Sequence, residues 1–237
     1  NKEIKYKNNT ILVDGKQCKS TKERQKILQE YNPDAIAVKF DEINSLKKSE
    51  LRSLTKGINL VYIYHDQIDA RGDNAPTENE VFDASQEAID EITKLTTRLI
   101  DSANFTRIII TADHGYIYKK GSLNDSDKVN LESISAFYKN RRFLLTDDKT
   151  DIPGTKCLSL EYINNEDIYV TVPKGVDIFK LNGGGLNYVH GGLSLEEVIV
   201  PVIEVKSKKG GKNQRTVNLD LIGSNNKITN YETMLTF

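Results

Sequence analysis

The sequence predicts an α/β fold in which helices flank a mostly parallel sheet. Residues 58–66 (INLVYIYHD) and 105–114 (FTRIIITADH) are apolar runs rich in β-branched and aromatic side chains, which is typical of strands buried on both faces. Between them, apolar residues recur at spacings of three and four and predict one long helix with a single buried stripe. The stripe consists of Val81, Ala84, Ala88, Ile92, Leu95 and Leu99. Strand, helix and strand in this order form a βαβ crossover, the unit that builds parallel sheets.

The N-terminal region predicts two further strands and two further helices. A short strand over residues 11–13 precedes a turn at Asp14-Gly15, and the sequence STKE at residues 20–23 has the spacing of a capping box that begins a helix. Residues 34–40 (DAIAVKF) predict a second strand. Residues 42–57 predict a second helix, which a glycine closes.

The remaining elements follow from similar local signals. The sequence TENE at residues 77–80 predicts a capping box between Thr77 and Glu80 at the start of the long helix, which we expect to end near Ser102. Residues 121–186 lose regular periodicity, and their runs TKCLSLEYI, DIYVTVP and GVDIFK predict a β-rich insertion that is antiparallel or irregular. Residues 194–206 (SLEEVIVPVIEVK) predict a capped turn and a strand, in which the proline indicates an edge or a bulge.

Both ends of the chain predict a fragment of a longer protein. The single methionine, Met234, lies near the C-terminus, and the chain stops within an apolar alternation at ETMLTF. We therefore expect an N-terminally truncated domain over residues 1–205, followed over residues 206–237 by a linker and the start of a truncated β module. The basic stretch KSKKGGKNQR in that linker is either an anion-binding patch or, as its composition favours, a solvated connection.

Composition narrows the class of protein. With 38% hydrophobic residues, 28% charged residues and a net charge of -1, the chain is typical of a soluble globular protein, and direct nucleic-acid binding is not expected. The sequence contains neither a membrane-length apolar run nor an N-terminal signal peptide. Cys18 and Cys157 are isolated, as is common in reduced compartments. We therefore expect a cytoplasmic protein that does not associate with membranes.

The three histidines point to a site at the ends of strands. His65, His114 and His190 each directly follow an apolar run, and the last two precede glycine. A histidine in such a position is often structural, but glycine lets the backbone approach a ligand closely. Sites in parallel α/β sheets lie at the carboxyl ends of strands, where His65 and His114 are expected.

Carboxylates accompany these histidines. The stretch HDQIDARGDNAP places Asp66, Asp69 and Asp73 directly after a predicted strand. A solvated, turn-rich loop is one explanation. The other is a metal site, because divalent cations take several carboxylate or imidazole ligands from separate segments.

Asp113 and His114 are adjacent, and this adjacency favours two ions over one. Consecutive side chains diverge, so these two cannot easily bind a single ion. They can serve two ions a few ångströms apart, and such pairs of ions stabilise the attacking and leaving oxygens in phosphoryl transfer.

These motifs resemble those of the alkaline phosphatase superfamily, which includes cofactor-independent phosphoglycerate mutase and phosphopentomutase. The shared features are DHG at a strand end, a downstream HGG and an upstream D-x-x-x-[HD]. The chain is most similar to the PglZ domains of bacterial phage-defence (BREX) systems. The blocks VYIYHDQIDARGD, IIITADHGYIYKKG and YVHGGLSLEEVIVPVIEVK look like that family's strongest blocks, in order, and the resemblance covers most of residues 1–205.

The resemblance implies a two-metal site, with zinc or manganese as the metal. Asp69 and Asp73 would join His190 around one ion, and Asp113 and His114 would contribute to the second. The superfamily often has histidine at the position of Asp73. The second ion's remaining ligands, an Asp and a Thr or Ser nucleophile, normally lie N-terminal to all of these residues. The catalytic nucleophile is therefore expected upstream of this chain.

Two further residues have open roles. His65 matches no metal position of the superfamily, and we expect it to support a ligand or to face substrate. Asp14, in TILVDG, imitates the superfamily's first motif, in which case Ser20 or Thr21 would be the nucleophile. In PglZ-like sequences, however, a similar stretch follows the nucleophile region, which favours the upstream position.

The resulting functional expectation is a metal-dependent phosphatase or phosphodiesterase of a phage-defence system, in which this fragment alone is inactive. The ions would polarise phosphate oxygens while a hydroxyl attacks in line. The alternative is a non-catalytic metal-binding scaffold that assembles with other defence proteins, such as the system's DNA methyltransferase. A nuclease is a third possibility that the near-zero net charge does not favour.

Overall fold

A computed structural model describes most of the chain. The described residues are 3–7, 10–120, 124–131, 134–161, 168–182 and 187–207. The chain divides into two compact units, Asn1–Lys206 and Ser207–Phe237. Almost all of the predicted linker and β module over residues 206–237 lies outside the described residues.

The first unit mixes short strands with helices, so the α/β class is confirmed. Its described α-helices are α1 (Thr21–Gln29), α2 (Phe40–Asn44), α3 (Lys48–Thr55), α4 (Gln67–Gly72), α5 (Val81–Ala103) and α6 (Leu195–Val198). Its described strands are β1 (Ile4–Lys7), β2 (Thr10–Val13), β3 (Lys16–Gln17), β4 (Ala35–Lys39), β5 (Leu60–Tyr64), β6 (Arg107–Thr111), β7 (Ile117–Tyr118), β8 (Lys128–Val129), β9 (Tyr138–Lys139), β10 (Leu144–Thr146), β11 (Thr155–Ser159), β12 (Tyr169–Pro173), β13 (Ile178–Phe179), β14 (Tyr188–Val189) and β15 (Val202–Lys206). None of the described helices combines the length and hydrophobicity needed to cross a membrane.

The strand pairing is more antiparallel than predicted. Among the described strands, the parallel ladders are β4–β5 and β8–β13, and the other ladders are antiparallel. β6 pairs antiparallel with β15, which follows Pro201. Val202 lies opposite Thr111, and Lys206 lies opposite Arg107. Within the described ranges, no ladder joins β5 to β6. The expectation of a mostly parallel sheet is therefore not met by these strands.

Helix α5 nevertheless covers both strands, as the sequence pattern predicts. Five of the six stripe residues are buried and the sixth, Ile92, is half-buried. Leu95 and Leu99 belong to a core cluster with residues of α2 and α3, and side chains of β5 and β6 pack against it. Burial of this apolar area is the main source of stability for the α/β part of the unit.

One predicted helix start is confirmed, and two other helix predictions are wrong. The Ser20–Glu23 capping box of α1 is confirmed. The box at Thr77 is wrong, because the Thr77 hydroxyl donates to the Arg71 carbonyl at 2.9 Å and a 3₁₀ turn, Glu78–Glu80, precedes α5. The helix predicted over residues 42–57 is two helices, and α3 begins where the Glu50 carboxylate accepts a bond from the Lys47 amide at 2.6 Å.

The insertion forms its own small sheet. β9, β10, β11 and β12 pair in the antiparallel order β11-β12-β10-β9, and β11, β12 and β13 lie in the three predicted runs. Leu144, Ile152 and Phe179 form its core. This part of the chain lies between the loop that carries His114 and the loop that carries His190.

A buried ion pair connects the insertion to α6. Arg142, which is 0% exposed, bonds through Nε to Glu197 Oε1 at 2.8 Å and through Nη2 to Glu197 Oε2 at 2.7 Å. Burial raises the pKa of Glu197, but the bonds from Arg142 and from the amides of Gly192 and Ser194 outweigh burial and hold the pKa below its usual value. The Glu197 carboxylate therefore stays charged at neutral pH.

We predict that Arg142→Met lowers the free energy of unfolding by about 3–5 kcal/mol, because it leaves the Glu197 carboxylate buried without its cation. Urea unfolding followed by circular dichroism measures this change. Lys16→Met is the control, because it removes an exposed pair with Glu30 and should cost less than about 1 kcal/mol. Equal effects in the two variants would contradict this assignment.

Candidate metal centre

Helix α4 places two carboxylates close to the end of β5. Asp69 lies within the helix, and Asp73 directly follows its last residue. The Asp73 amide bonds to the Asp69 carbonyl at 2.9 Å. Residues four apart in a helical turn share a face, so both carboxylates point to the same side. The sequence pattern, which indicates a turn-rich loop here, did not predict this helix.

The loop after β6 carries Asp113 and His114, and it packs tightly on α6. The Gly115 amide donates to the Glu197 carbonyl at 2.8 Å. A Cβ at position 115 would lie 2.0 Å from the Glu196 carbonyl oxygen, so only glycine fits there. This close approach fixes the loop and with it His114.

The ladder between β7 and β14 brings His190 to the same place. Val189 pairs with Ile117 and Tyr188 with Tyr118. The loop of His114 precedes β7, and His190 directly follows β14. Because the two strands are antiparallel, both histidines lie at the same end of the ladder. The Glu78 carboxylate anchors β14 by accepting a bond from the Asn187 amide at 3.1 Å.

Asp69, His114 and His190 meet and are here called the three-residue cluster. Their ligand atoms all lie within 4.8 Å of one another, and each residue is half-buried. The two imidazole rings stack with centroids 4.3 Å apart and an interplanar angle of 3°. His114 Nε2 lies 3.6 Å from Asp69 Oδ2. Three residues from three distant segments thus offer two imidazoles and one carboxylate to one small volume.

The chemistry of the three-residue cluster fits a divalent metal. His114 Nδ1 lies 3.1 Å from the Gly115 carbonyl, so Nδ1 carries the proton and Nε2 presents its lone pair toward Asp69. Metal-bound histidines usually donate their other N–H to such an oxygen. In a tetrahedral zinc site with bonds of about 2.0–2.2 Å, the ligand atoms lie about 3.4 Å apart. Small side-chain rotations bring the cluster to that spacing.

Asp73 and Asp113 each lie beside one histidine of the cluster. Asp73 Oδ1 lies 3.3 Å from His190 Nε2. The Asp113 side chain is 88% exposed, and its Oδ1 lies 3.9 Å from His114 Nε2. The expected contribution of Asp113 and His114 to a second ion site stays a prediction. His114 lies with Asp69 and His190, because α6 and the β7–β14 ladder hold its loop against the loop of His190.

Tyr188 is a site residue that the sequence analysis missed. Its hydroxyl donates to Asp69 Oδ1. Its ring packs so closely on Gly72 that a Cβ there would lie 2.6 Å from ring atoms. Burial, together with the bond to Asp69 and nearby carboxylate charge, raises the pKa of Tyr188. The phenol therefore remains a donor. Its position two residues before His190, on the same face of a strand, was the available signal.

His65 lies outside the three-residue cluster. Its Nε2 is 2.8 Å from Glu91 Oε2, and its ring packs edge-on against Phe40. This histidine connects the end of β5 to helix α5. Its contacts are those of a structural residue.

Asp14 and Ser20 also make local structural contacts. Asp14 Oδ1 accepts a bond from the Glu3 amide at 2.8 Å and closes the β1–β2 hairpin. The Ser20 hydroxyl accepts a bond from the Glu23 amide at 3.2 Å as the cap of α1. The described cluster of possible metal ligands does not include Asp14, so the alternative assignment of the first motif gains no support.

The mixed α/β unit, with an Asp-His-Gly loop and a His-Gly-Gly loop that converge on an aspartate, is an alkaline-phosphatase-like domain. Comparison with known families agrees. The model of the BREX system PglZ alkaline phosphatase-like domain matches residues 1–205. The chain belongs to this PglZ family.

Two curated relatives support the assignment. The chain is 38% identical over 242 residues to the alkaline phosphatase-like protein PglZ of Bacillus cereus, and the match covers all of this chain and 28% of that protein. It is 33% identical over 207 residues to the alkaline phosphatase-like protein BrxZ of Escherichia coli, covering 83% of this chain and 23% of that protein. The chain thus spans about a quarter of the length of these relatives.

We predict that Tyr188→Phe weakens zinc binding by about tenfold or more, because groups that orient a metal ligand typically contribute 10–100-fold to affinity. The measurement is a zinc titration against a chelating dye. Tyr116→Phe is the matched control, since the Tyr116 hydroxyl bonds to Ser85 at 3.0 Å. Equal affinities for Tyr188→Phe and wild type would contradict the role of this hydroxyl.

Proposed function

We propose that this domain, within the full-length protein, is a metal-dependent phosphatase or phosphodiesterase. The observation that carries the proposal is the convergence of Asp69, His114 and His190 within 4.8 Å. The family's description as alkaline phosphatase-like supports a phosphoester as the substrate. The proposed role of the full-length protein is phage defence.

Zinc or manganese is the proposed metal, because both accept mixed imidazole and carboxylate ligands. The three-residue cluster would hold one ion. Asp73 and Asp113 are the carboxylates available to complete this site or to begin a second one. The second ion would take its other ligands from residues outside this segment.

The chain's own residues would prepare this centre for reaction. When bound, such ions polarise phosphate oxygens and stabilise the charge that develops on the attacking and leaving oxygens. The Tyr188 hydroxyl holds one oxygen of Asp69, which leaves the other oxygen facing His114. The Gly115 carbonyl fixes the tautomer of His114. These bonds orient the ligands before substrate arrives.

A polar concavity beside the cluster is the proposed entry for the phosphate group. Asp73, Asn140, Arg141, Tyr188 and His190 line it. Burial lowers the pKa of Arg141, but the usual pKa of a guanidinium lies so far above neutral that the group stays charged at neutral pH. Arginine binds phosphate oxygens through two parallel N–H donors, so Arg141 is the residue assigned to the substrate's anionic oxygens.

The proposed nucleophile is a Ser or Thr hydroxyl from outside residues 1–237. Ser20, the alternative within the chain, is engaged at the start of α1. The hydroxyl bonded to the three-residue cluster is the phenol of Tyr188, which the raised pKa keeps protonated. A protonated phenol suits orientation of Asp69 better than attack on phosphorus.

Metal binding has a direct test. In the full-length protein, His190→Ala should lose zinc measured by plasma mass spectrometry, whereas His65→Ala should retain it.

Chelation should lower the melting temperature of the wild type, because an ion at 100 times its Kd stabilises the folded state by about 2.7 kcal/mol. A melting temperature that does not respond to chelator would count against a bound metal.

Turnover tests the reaction. We predict that the full-length protein hydrolyses p-nitrophenyl phosphate or its bis-ester, and that residues 1–237 alone hydrolyse neither. Asp69→Asn should lower kcat by about 100-fold or more, since even groups that only support ligands are worth 10–100-fold. Asp66→Asn is the matched control outside the cluster. A folded, metal-loaded protein that is inert toward both esters would instead support a non-catalytic scaffold.

A further inference from the structure

Glu197 contacts both loops that carry the cluster histidines. Its backbone carbonyl accepts the bond from the Gly115 amide at 2.8 Å, next to His114. Its Oε1 accepts a bond from the Gly192 amide at 2.9 Å, two residues after His190. A single residue therefore bridges the two loops through its main chain and its side chain.

Arg142 fixes this bridge from the other side. Besides its two bonds to Glu197, its guanidinium donates to the Gly175 carbonyl at 2.8 Å and to the Asp177 carbonyl. A Cβ at Gly192 would lie 2.5 Å from Arg142 Nη2 and 2.7 Å from Glu197 Oε2. The His-Gly-Gly loop thus lies directly against the ion pair with no space between them.

An ion pair of this kind has a use other than stability. A buried pair contributes little compared with apolar side chains of the same volume. A carboxylate, however, can accept several bonds at once, and Glu197 accepts from the Ser194 amide at 3.1 Å as well as from Gly192 and Arg142. No apolar side chain could hold these amides in defined positions.

We propose that Arg142 and Glu197 are positioning residues that set the separation of His114 and His190 and so determine the affinity of the cluster for its ion. The proposal rests on the proposed metal-binding function. It assigns the insertion a part in the site, because Arg142, Gly175 and Asp177 all lie within residues 121–186.

The test is the zinc affinity of the full-length protein with Glu197→Gln. This variant keeps the side chain's shape but replaces one acceptor oxygen with an NH2 donor. Because the partners of this carboxylate are themselves N–H donors, at least one of them loses its hydrogen bond. The Kd for zinc should rise tenfold or more, as for other groups that orient ligands. X-ray absorption of the zinc-loaded protein should detect two imidazole ligands in the wild type and fewer in the variant.

Leu51→Ala is the control for a general loss of stability. Leu51 is fully buried in the core cluster of α2, α3 and α5, and its truncation should destabilise the fold while leaving the zinc Kd within about twofold of wild type. If Glu197→Gln does not fold, Arg142→Lys replaces it. Lysine keeps the charge but lacks the guanidinium's planar set of donors, so the Kd should again rise.

The outcomes separate the two proposals. A folded Glu197→Gln or Arg142→Lys protein with the wild-type Kd would overturn the positioning role and leave the proposed function intact. An equal loss of affinity in Leu51→Ala would also overturn it, because the effect would then reflect stability alone. A wild type that binds neither zinc nor manganese would overturn both proposals.

Discussion

The ion pair between Arg142 and Glu197 is the contact on which the geometry of the candidate metal centre depends. His114 and His190 lie 76 residues apart in the sequence, and the ladder that joins their loops consists of the short strands β7 and β14. Two-residue strands give little independent stability. The buried pair adds the constraint that these strands lack, since it fixes the position of α6 and, through it, both loops. The insertion between the loops contributes one partner of that pair.

Charge explains why this arrangement calls for a cation. Asp69, Asp73 and Asp113 each place a carboxylate oxygen within 3.9 Å of a histidine ring nitrogen, and neighbouring carboxylates repel each other when no positive charge lies between them. A divalent ion would relieve this repulsion. Tyr188 offsets part of the charge of Asp69 by hydrogen bonding, which keeps that carboxylate in one orientation.

Sequence periodicity predicted the structural features that depend on local burial. It failed for features that depend on contacts between segments distant in the sequence. The stripe of α5 follows from helical spacing and is present. Helix α4, which places Asp69 and Asp73 on one face, was not predicted, because its Asp- and Gly-containing sequence is typical of a loop. The pairing of β6 with β15 depends on residues almost a hundred positions apart, so local pattern could not supply it. The start of α5 was misplaced because the Thr77 hydroxyl bonds to the Arg71 carbonyl instead of capping the helix. The ladder that brings His190 to His114 is likewise a long-range contact, which local pattern could not supply.

Anomalous diffraction at the zinc absorption edge tests the metal site of the three-residue cluster most directly. The crystals are those of the full-length protein grown with zinc. We predict an anomalous peak about 2.0–2.2 Å from the ligand atoms of Asp69, His114 and His190. We also predict that the Glu197 carboxylate bonds to Arg142 and to the Gly192 amide in the same crystals. A well-ordered centre with no anomalous peak, or a peak bound by other residues while these three side chains stay apart, would contradict this metal site.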